Sequence, residues 1–78
     1  MNKNEVLDRL QGVFETFFAP LDEFSIDSTI ETIEDWDSVA HIQLIFEIEG
    51  EFNIEFDSED IAQMDSVAKI VDYILDKA

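Results

Sequence analysis

Apolar residues return every three or four positions near the start of the chain. Val6, Leu10, Val13, Phe14 and Phe17 fall at helical spacing, with Leu7 and Phe18 widening the stripe, while Asp8, Arg9, Gln11, Glu15 and Thr16 lie off it. The pattern predicts an amphipathic helix over about residues 4–18, ended before Pro20. Residues 19–35 then follow with no clean period, Leu21, Phe24, Ile26, Ile30 and Ile33 being scattered among Asp, Glu, Ser and Thr. A connection of this length in a small domain either packs through its own side chains or carries function.

A second helix is predicted from Asp37 or Ser38 to Phe52. Asp35, Asp37 and Ser38 are all competent caps, and negative charge suits the positive end of a helix dipole. A short segment over 57–62 predicts a turn or two of helix. A last helix starting near Asp65 or Ser66 buries Val67, Ile70, Val71, Ile74 and Leu75 and wets Lys69, Asp72, Asp76 and Lys77. Two glycines and one proline in the whole chain favour helices over a turn-rich β architecture. The expected fold is all-α: a four-helix bundle of three longer helices and a short third one, with a long first loop, in a single domain spanning 1–78.

The second helix is apolar on two sides. At 100° per residue, Leu44, Ile45, Ile48 and Phe52 gather on the natural core face, and Val39, Ile42 and Phe46 form a second stripe roughly opposite. A bundle helix needs only one such face. Either the second stripe packs beneath the 19–35 loop, or it is an exposed apolar strip flanked by Glu47 and Glu49, the form of a docking surface. The pattern leaves both open.

Composition narrows the function. Seventy-eight residues, 46% of them hydrophobic and seven of them Phe, suffice for a packed core. No run approaches the ~18 apolar residues of a membrane span. Met1-Asn2-Lys3-Asn4-Glu5 lacks the basic and apolar regions of a secretory signal, so a cytosolic location is expected. Four basic residues against twenty acidic ones give a net charge of −16. Such a chain repels phosphate backbones and anionic lipid, so no nucleic-acid or membrane partner is expected, and partners should present basic patches. There is no cysteine. Any thioester chemistry must therefore use a thiol brought from outside.

Ser38, at the start of the second helix, is the chemically suggestive hydroxyl. A phosphate ester there would lie near free backbone N–H groups and the positive dipole end, although a serine in this position is more often an ordinary cap. Ser38 and His41 lie one turn apart with Asp35 and Asp37 nearby, but residues on one short helical stretch rarely assemble a triad with its oxyanion hole. No window has the Asp-x-Asp/Asn-x-Asp/Asn-Gly form of a calcium-binding loop, so no metal site is expected. An acidic interaction module, with Ser38 incidental, stays open.

Asp37-Ser38-Val39, the run through Glu49 and the exit Glu51-Phe52-Asn53-Ile54-Glu55-Phe56 resemble the signature of the acyl carrier protein family. The likeness extends through the acidic segment to Val67 and Asp72-Tyr73-Ile74, and covers essentially the whole chain. The triplet alone is weak evidence; triplet, exit, size and acidity together are specific. The resemblance implies an acyl-carrier-type bundle and a covalent 4′-phosphopantetheine on Ser38, with Asp37 the adjacent motif residue. A phosphopantetheinyl transferase would install the group from coenzyme A, and any magnesium would belong to that enzyme. It also implies a non-catalytic, monomeric carrier that docks acyl-loading and acyl-processing enzymes through Val39, Ile42, Phe46, Glu47 and Glu49. Acyl intermediates of fatty-acid, polyketide or related specialised biosynthesis would be the cargo, with aminoacyl or peptidyl groups the alternative. An aliphatic cargo could then slip among the helices past Leu44, Ile48, Ile61 and Val67. Val39 stands where Leu or Met is usual, Gln43 where Glu is common in the fatty-acid type, and Trp36 where a small residue is frequent; these departures bear on cargo and partners.

Overall fold

The computed structural model describes residues 2–18, 24–33 and 35–77. Within them the chain forms α1 (Lys3–Phe18), α2 (Ser38–Phe52), α3 (Ser58–Ile61) and α4 (Val67–Lys77), the all-α arrangement that the periodicity predicts. α1 ends at Phe18, as the spacing predicts; Pro20 lies outside the described residues.

The three longer helices each start where a side chain satisfies an orphan N–H. The Asn2 side chain accepts from the backbone N–H of Glu5 at 2.8 Å, which moves the start of α1 slightly ahead of the first apolar residue. Ser66 Oγ accepts from the N–H of Lys69, opening α4 at Val67. α2 ends at Asn53, whose φ of 55° is left-handed and whose N–H returns to the carbonyl of Glu49. Asn tolerates that conformation better than most residues.

The core forms where the stripes meet. Val6, Leu10 and Phe14 of α1, Leu44, Ile45 and Ile48 of α2, and Val67, Ile70, Val71 and Ile74 of α4 are fully buried. At about 25 cal/mol per Å² of apolar surface removed from water, these side chains supply the main driving force for folding. Leu44, Ile48 and Val67, read as a lining for cargo, are packed core residues here, and Ile61 is half-buried against them.

The long loop packs through its own side chains. Ser and Thr hydroxyls shape it: Ser28 Oγ accepts from the N–H of Ser25, and Thr32 Oγ1 from that of Thr29. Two backbone bonds pin it to the entrance of α4, Ile30 N–H to the Asp65 carbonyl and Val67 N–H to the Ser28 carbonyl, both 2.9 Å. Ile33 and Trp36 enter the core, and Phe24, Ile26 and Ile30 pack against it. None of this covers the second stripe of α2. Val39 is 70%, Ile42 45% and Phe46 61% exposed, which resolves the two-faced helix in favour of an open apolar strip.

Candidate functional site

The site is built at the start of α2. Asp37 has extended backbone, and its carboxylate accepts from the N–H of Ala40 at 2.8 Å, while its carbonyl receives the N–H of His41. Asp37 is thus the cap, and Ser38 is the first helical residue. Ser38 is exposed. Among the described residues nothing hydrogen-bonds its hydroxyl, nor the backbone N–H groups of Ser38 and Val39. A solvent-facing hydroxyl beside two unsatisfied donors, at the positive end of a helix dipole, suits a phosphodiester. The residues present fit the group implied by the resemblance.

His41 does not join Ser38. Its ring is buried, its Nδ1 accepts from Trp36 Nε1–H at 2.9 Å, and its Nε2 donates to the carbonyl of Ile61 at 2.6 Å. The indole can only donate and the carbonyl can only accept, which fixes the Nε2–H tautomer. With both nitrogens occupied, the ring has no lone pair for the serine, and Asp37 is engaged as a cap. The pairing of Ser38 with His41 that a hydrolase would need is not formed.

Instead His41 ties three pieces together: the approach to α2, its first turn and the last residue of α3. Trp36 is 2% exposed and meets Phe14 edge-on at 5.2 Å between ring centroids. This link is absent from the sequence reading. A lone Trp among acids in an aperiodic loop carries no periodic signal.

From Ser38 the strip Val39, Ile42 and Phe46 runs along the exposed side of α2, with Glu47 exposed beside it. Glu49 is half-buried, and one of its carboxylate oxygens accepts from the N–H of Phe56 at 2.7 Å. It therefore fastens the exit of α2 as well as adding negative charge to that end of the helix.

Beyond Phe46 the strip opens into a groove of about 820 Å³ between α1 and α2. Val13, Phe17 and Phe46 form its apolar walls, and Gly12 and Gly50 also line it. Arg9 and Glu51 stand at the far end, joined by an ion pair of 2.9 Å.

Residues 5–74 match the family described as the phosphopantetheine attachment site. The chain is also 35% identical over 77 residues to the mitochondrial acyl carrier protein of Neurospora crassa, an alignment that covers 96% of this chain and 58% of that protein. Helix order, the hydroxyl presented at the start of α2 and these similarities agree, and the chain belongs to the acyl carrier protein family, whose prosthetic group is 4′-phosphopantetheine.

Proposed function

We infer that Ser38 is the attachment residue and that the chain carries acyl groups between enzymes. One observation carries this reading. In a chain without cysteine, an exposed serine hydroxyl, without a partner among the described residues, stands at the first position of a capped helix. When bound, phosphopantetheine supplies the missing thiol, on which an acyl group is held as a thioester. The protein's own residues hold and present it. Asp37 fixes the helix start, the N–H groups of Ser38 and Val39 face the phosphodiester position, and the rest of α2 offers a surface to partners.

Val39, Ile42 and Phe46 form the apolar part of that docking surface, and Glu47 and Glu49 its acidic part. With a net charge of −16, the chain selects partners with basic patches, among them the transferase that loads it and the enzymes that acylate and process the cargo. It performs no bond-making itself, a reading supported by the engagement of both His41 nitrogens away from Ser38. The cargo is an intermediate of fatty-acid, polyketide or related specialised biosynthesis. The protein works as a monomeric single domain. Among the described residues no helix is long and apolar enough to cross a membrane. A cytosolic placement belongs to the same proposal, and cell fractionation tests it against the organelle named for the Neurospora protein.

Incubation with coenzyme A and a broad-range phosphopantetheinyl transferase, followed by intact mass measurement, tests the attachment. The protein should gain one phosphopantetheine group, and Ser38→Ala should gain none. An unchanged mass for the wild-type chain overturns the proposal.

A further inference from the structure

The serine at the start of α2 is bracketed by two buried rings. Trp36 stands two residues before Ser38 and His41 three after it, and the indole Nε1–H donates to the imidazole Nδ1 at 2.9 Å. The two side chains thereby close a loop of chain over residues 36–41. Inside it the Asp37 carboxylate takes the Ala40 N–H, and the Asp37 carbonyl takes the His41 N–H. Ser38 itself is exposed and takes its direction from this closure.

The closure is anchored from two other elements. Trp36 meets Phe14 of α1 edge-on at 5.2 Å between centroids, and His41 Nε2–H donates to the carbonyl of Ile61 at the end of α3. A core needs no such pair. Apolar side chains of the same shape would fill the space without burying polar groups that must find each other, and exchanges of that kind are often neutral for stability. What the polar pair adds is direction. A hydrogen bond fixes the mutual angle of two rings that apolar packing leaves free to slide.

Direction matters most for the oxygen between them. In the loading reaction Ser38 Oγ attacks the pantetheine-bearing phosphorus of the coenzyme A diphosphate. The Oγ–P bond forms and the P–O bond to adenosine 3′,5′-bisphosphate breaks. The leaving group keeps that electron pair, and the serine proton passes to a base of the transferase. Phosphoryl transfer depends on holding the attacking and leaving oxygens in line. An error of about 1 Å can cost about a hundredfold in rate.

We propose that Trp36 and His41 are positioning residues for this transfer, their hydrogen bond holding the first turn of α2 so that Ser38 Oγ meets the phosphorus in line. The inference rests on the carrier reading above and adds the pair that aims its serine. Loss of the bond lowers kcat and kcat/KM together and leaves KM near its original value, because Val39, Ile42, Phe46 and Glu47 still offer partners the same surface.

The test follows phosphopantetheinylation of the full chain by a broad-range transferase, with coenzyme A as donor, intact mass as readout and carrier concentration varied. Trp36→Phe keeps a ring against Phe14 and removes the donor; kcat should fall about tenfold or more. His41→Asn places an acceptor oxygen as many bonds from the backbone as Nδ1 and should keep most of kcat. His41→Leu has the shape of that asparagine without the acceptor and should fall with Trp36→Phe. Val71→Ala, in the core of α4, loses stability elsewhere and should load at the wild-type rate. All are assayed well below their melting midpoints, and either Trp36→Phe or His41→Leu suffices if the other does not fold. A wild-type kcat in these two, or a raised KM alone, overturns the positioning role and leaves the carrier reading intact. So does His41→Asn or Val71→Ala as slow as they are. A wild-type chain that takes no arm overturns both.

Discussion

The indole Nε1–H of Trp36 donates to Nδ1 of His41 at 2.9 Å, and the two rings stack with centroids 5.8 Å apart. Through the opposite nitrogen the imidazole reaches the carbonyl of Ile61. One side chain, a single turn after the presented serine, thereby fixes the loop before α2 and the short α3 after it. α3 has no buried residue of its own, so this hydrogen bond is one of its few anchors to the bundle.

His41→Leu should therefore destabilise the fold more than its small change in volume suggests. It strands a buried indole N–H and frees the Ile61 carbonyl, a loss of about 2–3 kcal/mol. Urea unfolding followed by Trp36 fluorescence reads the loss. Hydrogen exchange should quicken first over 58–61. An unchanged midpoint would show that the link is ornamental.

Asp37→Ala should cost about 1 kcal/mol, the usual loss for a removed helix cap. Asp37→Ser, which restores an oxygen to the Ala40 N–H, should recover most of it. The comparison separates capping from charge, because serine caps without a negative group beside Ser38. If both variants lose the same stability, the carboxylate acts through its charge.

The acidic excess predicts a salt response of opposite sign for folding and for docking. Twenty acidic groups share four basic ones; among the described residues, Arg9 pairs with Glu51 and Lys69 with Asp65. Added salt or a divalent cation should raise the melting temperature by screening self-repulsion, while binding to basic partners weakens. Calorimetry across ionic strength checks the first half. A melting temperature indifferent to salt contradicts it.

Asp65 provides a pH signature. The hydrogen bond from Lys69 Nζ at 2.9 Å holds its carboxyl below the ordinary value. A depressed folded-state value contributes stability above the unfolded value, and that contribution disappears as pH falls through the folded one. The pair is about half exposed, so the effect is at most about 1 kcal/mol. A carbon-detected titration should show Asp65 losing its proton at lower pH in the wild type than in Lys69→Met. Identical curves would remove the interaction.

Helix periods and caps reported what neighbours in sequence decide. The stripes of α1 and α4, the extent of α2 and its inward Leu44, Ile48 and Phe52 follow directly from spacing, because burial of one helical face repeats along the chain. The exposure of Val39, Ile42 and Phe46 depended on where the long loop went. Its course is set by the backbone bonds of Ser28 and Ile30 to the start of α4, which no local pattern encodes. Trp36 stands out before the Asp-Ser pair, but nothing local marks it as a core residue, since its partner Phe14 lies 22 positions earlier. Glu49 looked like a rim acid by its angle on the helix; its bond to the Phe56 N–H arises only after the chain turns at Asn53. The groove stayed hidden for a related reason. Gly12 and Gly50 lie in two separate helices, and line one groove only when α1 and α2 pack.

The carrier account places the prosthetic group on one of five serines, Ser25, Ser28, Ser38, Ser58 and Ser66. Proteolysis of transferase-treated protein, with fragmentation of the modified peptide, reports the bearing residue directly. The account predicts the whole added mass on Ser38. The same mass on another hydroxyl, or on none, contradicts it.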